Sequence, residues 1–218
     1  MTDTLALFPG LAPAPVAAEP VGLTYAEAVV SPDAQSDLMA RAAGLAFAPF
    51  DFRGFTGNRR TVSFGSRYDF THNRIDAAAA FPDWLSALRA DAARFAGLPE
   101  ADLVQALVTE YAPGAGIGWH RDRPEYGQVV GLSFGSDCVL RFRRPQEGGW
   151  RRASLHVRPG SAYRLQGPAR DVWQHSIVPG DHLRYSVTFR TLRTSADAQT
   201  CRPADRSRPA TTAGGLPG

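Results

Sequence analysis

The chain has 218 residues, 44% hydrophobic and 21% charged, with a formal net charge of +3 and a pI near 9.2, enough for one domain with a sizeable core. No apolar run approaches the ~20 residues of a membrane span, residues 1 to 22 carry no basic residue of the kind a secretion signal needs, and the two cysteines, Cys138 and Cys201, are too few for a disulfide framework. All 24 basic residues are Arg, which excludes a Schiff-base lysine, a Walker lysine and a kinase phosphate-binding lysine. The expectation is a monomer in a reducing, cytoplasmic setting, away from membranes.

Residues 1 to 22 are rich in Pro and Ala without periodicity and are expected to be a disordered arm. Ser31-Pro32-Asp33 offers a cap and a first-turn Pro for a helix running to about Ala43. Leu45 to Phe52 reads as a strand, and 54 to 73 is rich in Gly and Arg with interleaved aromatics. A second helix begins at Pro82, presents Trp84, Leu85, Leu88, Ala92 and Phe95 as one apolar stripe, and stops near Gly97. From Ala101 the texture changes to short strands near 103–112, 116–121, 128–134, 138–144, 151–156, 161–165, 173–178 and 183–191, separated by turn signals. Such spacing predicts an all-β barrel or sandwich covered by the preceding helices. The polar stretch 194–218 is expected to be a disordered tail.

The chemistry centres on Ile117-Gly-Trp-His-Arg-Asp122. On an extended strand His120 and Asp122 leave from the same face, roughly 6 to 7 Å apart, and His175 lies 55 residues downstream. Two His and one carboxylate on one face of a metal are the ligand set of non-haem Fe(II) oxygenases. His120-Arg121-Asp122 also matches the start of a kinase catalytic loop, but Gly127 stands where that loop requires Asn. His72, His156 and His182 have no partner pattern and read as surface or structural residues.

The last strand alternates Arg184, Ser186, Thr188 and Arg190 with Tyr185, Val187 and Phe189. Alternation alone favours a half-exposed strand with its Arg in solvent, because one wet face is usual in antiparallel sheets. Turned inward, the two guanidiniums would suit a dicarboxylic acid.

Taken in order, Tyr111-Ala-Pro-Gly-Ala-Gly-Ile-Gly-Trp-His-Arg-Asp122, Val130-Gly-Leu-Ser-Phe-Gly-Ser136, His175 and Arg184-Tyr-Ser-Val-Thr-Phe-Arg190 resemble the AlkB family of Fe(II)- and 2-oxoglutarate-dependent dioxygenases. The resemblance covers about residues 45 to 191. It implies a mainly β (α+β) protein with a double-stranded β-helix (jelly-roll) core and N-terminal helices packed on the outside. The domain would span 23–193, with a nucleotide-recognition lid at about 54–73. His120, Asp122 and His175 would hold Fe(II). Tyr111 and Arg184 would hold the distal carboxylate of 2-oxoglutarate, helped by Thr109 and Ser186, with Arg190 near the proximal carboxylate and Asp122. The implied reaction consumes O2 and 2-oxoglutarate, releases succinate and CO2, and hydroxylates a substrate C–H bond. An N-methyl group so attacked collapses to formaldehyde and free nitrogen. Thr109 stands where the family often has Asn, and Glu125 is the only acid following Asp122.

The resemblance further implies alkylated DNA or RNA as substrate, a DNA-repair role by demethylation, with Arg59, Arg60, Phe64, Tyr68, Trp119 and Glu125 as candidate substrate contacts. The same chemistry on a protein or small molecule is the first alternative, and a nucleic-acid-binding module with a vestigial metal site the second. Arg141, Arg143, Arg144, Arg151, Arg152, Arg158 and Arg164 cluster against the single acid Glu147 and suit either phosphate contact or a solvated hairpin.

Overall fold

Eight consecutive strands of the C-terminal half pair into two facing antiparallel sheets. The computed structural model describes residues 20–52, 55–72 and 74–194. In chain order these hold β1 (Leu23–Ala26), α1 (Pro32–Ala43), β2 (Ala48–Phe52), β3 (Phe55–Phe64), β4 (Ser66–Asp69), β5 (Arg74–Ala77) and α2 (Asp83–Ala96). Then follow β6 (Leu103–Tyr111), β7 (Ile117–His120), β8 (Tyr126–Gly135), β9 (Cys138–Gln146), β10 (Gly149–Val157), β11 (Ala162–Leu165), α3 (Gly167–Asp171), β12 (Gln174–Ile177) and β13 (Arg184–Leu192). β6 to β13 divide four and four: the large sheet runs β1-β11-β8-β13-β6-β3-β2 and the small sheet β10-β9-β12-β7. This is a jelly-roll core whose large sheet is widened at both edges by N-terminal strands.

The helices form where their end signals stand. Ser31 caps α1, its Oγ accepting from the Ala34 N–H at 3.3 Å, and Pro32 fills the first turn. Gly97 ends α2 in the left-handed conformation (φ 62°), its N–H bonding back to the last turn. The expected strand at Leu45 starts only at Ala48, because local turn bonds, Leu45 N–H to Ala42 O and Phe47 N–H to Leu45 O, occupy residues 45–47. β1, the β4–β5 hairpin and α3 carry too few residues to announce themselves by periodicity. The stretches 1–19 and 195–218, within the expected arm and tail, lie outside the described residues.

Two apolar cores result. One joins α1 and α2 to the outer face of the large sheet through Leu38, Leu85, Leu88, Val108, Val187 and Phe189. Fully buried Leu85 and Leu88 each contribute about 1.5–3 kcal/mol. The other lies between the sheets and includes Val129, Phe142, Val157, Tyr163 and Trp173. β13 is therefore buried on both faces from Arg184 to Thr191. The half-exposed strand that alternation favoured does not occur: Tyr185, Val187 and Phe189 face the helices, and the polar residues face the second sheet.

Candidate metal centre and its surroundings

The register of the small sheet brings two histidines together across 55 residues of chain. β12 pairs with β7 so that His175 lies opposite His120, their ring centroids 4.2 Å apart. Ile177 pairs with Ile117, so three steps on β7 oppose two on β12 and a bulge falls at Gly118-Trp119. The extra residue lets Ile117 and His120 both face inward, which an unbroken strand would forbid. β7 ends at His120, so Asp122 does not extend from the strand as its spacing suggested; it stands in the segment that follows. Arg170 of α3 pins that segment, donating from Nη2 to the carbonyls of Arg123 and Tyr126, each at 2.7 Å.

Among the described residues, His120, Asp122 and His175 form the one group of three or more metal-binding side chains, with ligand atoms all within 4.8 Å of one another. His120 Nε2 is 3.9 Å from Asp122 Oδ1. His120 Nδ1 lies 2.9 Å from Gly118 O, which holds a proton there and leaves Nε2 as the bare nitrogen. His175 is buried, with an Nδ1 that no group in the protein satisfies. Burial lowers the His175 pKa to about 3 and also lowers that of His120, so both imidazoles are neutral donors. Burial alone would raise Asp122; the Arg190 guanidinium first, then the two imidazoles, hold it well below the carboxylate range instead. Two neutral imidazoles, one of them with a buried nitrogen lacking a partner, and one carboxylate fit a divalent metal of the Fe(II) type.

The inward face of β13 carries the remaining polar groups. Arg184 lies opposite Tyr111 and Gly135, Ser186 opposite Thr109 and Ser133, and Arg190 opposite Gln105 and Val129. Arg184 is buried, stacks 4.8 Å over the Tyr111 ring and donates from Nε to Ser133 Oγ at 2.9 Å. Its Nη1 is buried with no partner in the protein, so an anion is wanted there. Arg190 donates from Nε to Asp122 Oδ2 at 3.1 Å and from Nη1 to Gln105 Oε1 at 3.1 Å. Arg190 thus holds Asp122 directly.

The sequence assigned no individual role to several groups of the site. Ser133 and Gln105 are short-range partners of Arg184 and Arg190, visible only once β8 and β6 flank β13. Tyr163 pairs with Gly131 and lays its ring across it: a Cβ on Gly131 would sit 2.5 Å from the Tyr163 hydroxyl and closer still to the ring. Burial raises the Tyr163 pKa, leaving a neutral phenol near Arg184 and Asp122.

The six candidate substrate contacts separate. Arg59 stacks 3.8 Å over Phe50, and its charge reaches His120. Tyr68 is buried beside the segment after Asp122; its ring lies 4.1 Å under the Arg123 guanidinium and its hydroxyl donates to Glu125 Oε1 at 3.3 Å. Arg60 points to the opposite face of β3 and bonds Glu110 at 2.7 Å, a carboxylate that Tyr185 also holds. Phe64 is buried in the core beside the helices. Trp119 faces away from the metal ligands, towards Arg141 and Arg143. The Arg cluster also divides: Arg158 pairs with Glu27 and Arg164 with Gln128 on other faces, while Arg141, Arg143 and Arg152 share the outer face of the small sheet.

A jelly roll that gathers two His, one carboxylate and a pair of buried Arg defines the class of non-haem iron, keto-acid oxygenases. The profile of the 2OG-Fe(II) oxygenase superfamily matches residues 22–194, and the chain belongs to that family. That family uses Fe(II), 2-oxoglutarate and O2, and within it the chain is similar to AlkB homologues. It is 32% identical over 144 residues to the "Alpha-ketoglutarate-dependent dioxygenase AlkB homolog" of Caulobacter vibrioides (strain NA1000 / CB15N), covering 59% of this chain and 62% of that protein. It is 25% identical over 171 residues to the Xenopus tropicalis "tRNA (carboxymethyluridine(34)-5-O)-methyltransferase alkbh8", covering 73% of this chain and 26% of that protein. The chain thus spans less than two thirds of the length of these relatives. The solved structure of OsALKBH1 shares the fold with a TM-score of 0.60 at 16% identity, covering 84% of this chain and 99% of that one.

Proposed function

We propose that the protein demethylates alkylated nucleobases in DNA or RNA, with His120, Asp122 and His175 holding Fe(II). Tyr111 and Arg184 would bind the distal carboxylate of 2-oxoglutarate, and Thr109, Ser186 and Ser133 would supply hydroxyls beneath it. When bound, the iron and keto acid supply oxidation of a substrate C–H bond by O2. The chain's own work is positional. Arg190 fixes the Asp122 carboxylate, the Gly118 carbonyl fixes the His120 tautomer, and Arg184 orients an anion towards the ligands.

One observation carries the nucleobase reading. Immediately after Asp122, Arg123 lies over Tyr68, Tyr68 meets Phe70 edge-on at 5.1 Å, and Glu125 is held within 3.5 Å of Arg123. The segment that follows a metal ligand thus gathers two rings, a positive charge and one placed carboxylate. That set suits a flat base turned out of its stack, attached to a phosphodiester. The names of the Caulobacter and Xenopus relatives, an AlkB homolog and a tRNA methyltransferase, support the same direction.

The test is release of succinate and formaldehyde by Fe(II)-loaded protein given 2-oxoglutarate, O2 and a panel of methylated oligonucleotides. Formaldehyde matching succinate on an oligonucleotide is the expected result. Succinate without oligonucleotide-dependent formaldehyde would move the substrate to a protein or small molecule. Neither product from iron-loaded protein would leave only a binding module with a vestigial metal site.

A further inference from the structure

The bulge that turns His120 inward sends Trp119 outward, where the odd-numbered residues of β9 lie. Arg141 pairs with Ser176 and Ser154, and Arg143 with Gln174 and Arg152, all on the outer face of the small sheet. The Arg143 guanidinium stands 4.4 Å from the Trp119 ring and 4.3 Å from the Trp150 ring, so it is held between two indoles. The Arg141 guanidinium stands 5.1 Å from the same Trp119 ring.

The hydrogen-bond partners of these guanidiniums are neutral. Arg141 donates to Ser176 Oγ, Arg143 to Gln174 Oε1 and Arg152 to the Trp150 carbonyl. Among the described residues no carboxylate pairs with any of the three. Trp150 is 38% exposed, on a face that no helix among the described residues covers. A sheet face needs neither an exposed indole nor three guanidiniums without a carboxylate partner in order to fold.

We infer that this face binds single-stranded nucleic acid, a base stacking on the exposed Trp150 and the phosphates meeting Arg141, Arg143 and Arg152, which Trp119 helps to hold in place. Stacking on a π-face together with backbone-tracking positive charge is how unpaired strands are held without sequence preference. β7 is the edge strand of this sheet and carries Trp119 on one side and His120 on the other. A strand lying on the outer face is therefore one strand's width from the candidate metal centre. The inference rests on the reading that nucleic acid supplies the substrate.

The test is fluorescence anisotropy of labelled single-stranded oligothymidylate with the full chain and with Trp150→Ala, Arg143→Gln and Arg152→Glu. Trp150→Ala is expected to weaken binding about tenfold. Arg143→Gln is expected to weaken it and to reduce the salt slope by about one. Arg152→Glu reverses a charge on this face without touching the stack, and weakened binding by that variant alone still supports the surface. Wild-type affinity in all three variants, or no binding by the wild-type chain, overturns the inference. If those variants bind as wild type while the wild-type chain releases formaldehyde from a methylated strand, the surface is wrong and the reaction stands. Variant-sensitive binding with no formaldehyde keeps the surface and removes the reaction. Polyglutamate bound as tightly as oligothymidylate would assign the face to an acidic protein and overturn it.

Discussion

Arg190 and Asp122 meet across the space between the sheets, with Nε 3.1 Å from one carboxylate oxygen and Nη2 3.5 Å from the other. Both side chains are nearly closed to solvent, at 10% and 9% exposure. Neither charge would be stable there alone, and Gln105 completes the arrangement by accepting from Arg190 Nη1.

Arg190→Met should therefore act on Asp122. Divalent metal affinity is expected to fall about 10–100-fold, the usual effect of losing a group that orients a ligand. The metal-free protein should also lose about 3–5 kcal/mol of stability, because a buried carboxylate is left unpaired. Titration with Mn(II) and urea unfolding measure the two effects. Unchanged metal affinity would remove Arg190 from the metal site.

Arg184 is predicted to act on the cosubstrate alone. Arg184→Ala should weaken 2-oxoglutarate binding by about 2–5 kcal/mol, the range for truncating one partner of a buried charge pair, while metal binding is retained. Calorimetric titration of 2-oxoglutarate into Mn(II)-loaded protein reads this directly. Turnover of 2-oxoglutarate at the wild-type rate in the variant would refute the assignment.

Gly131 is required by its neighbour. Gly131→Ala places a Cβ against the Tyr163 ring and hydroxyl, so about 1–3 kcal/mol of destabilisation is expected from overpacking. Adding Tyr163→Leu should recover part of that loss, making the pair non-additive in denaturant unfolding. Additive losses would show that Tyr163 is free to move aside.

The neutral imidazoles set a pH dependence. The His175 pKa is near 3 in the folded chain and 6.5 without its surroundings. Between those values the unfolded chain binds a proton that the folded chain refuses, so stability rises with pH there and is lost on acidification from about 6.5 towards 3. His120 works in the same direction, and Asp122 adds to it once the pH falls below its ordinary value of 3.8. The metal-free protein should melt at lower temperature at pH 5 than at pH 7, and His175→Gln should flatten the slope. A melting temperature independent of pH would contradict the neutral assignment.

Much of this was legible in the residues. Turn signals located all eight strands of the core to within a few positions, because short strands in tight succession leave their punctuation on the surface. The order of His120, Asp122, His175, Arg184 and Arg190 along the chain, more than the spacing of any pair, pointed to the metal chemistry. The faces of individual strands were less legible. Alternation says that β13 and β3 have two different sides, but not what covers each. Only the packing of α1 and α2 places Phe64 in a core rather than over a base, and only the register of β3 against β6 puts Arg60 on Glu110, 50 residues away. The bulge in β7 was invisible for the same reason: one additional residue counts only against a partner strand that the local sequence does not contain.

The position of β7 has a further consequence. It is a four-residue edge strand, fastened among the described residues only through β12, and its last residue stands opposite His175. A metal gripping both imidazoles would tie that edge down at its free end, in the manner of a clasp. Amide hydrogens of residues 117–120 should then exchange with solvent distinctly faster in metal-free protein than in metal-loaded protein, while β6 and β13, buried in the large sheet, exchange at the same slow rate in both. Iron acquisition would in this way be read by the chain as local order, confined to one edge of the small sheet.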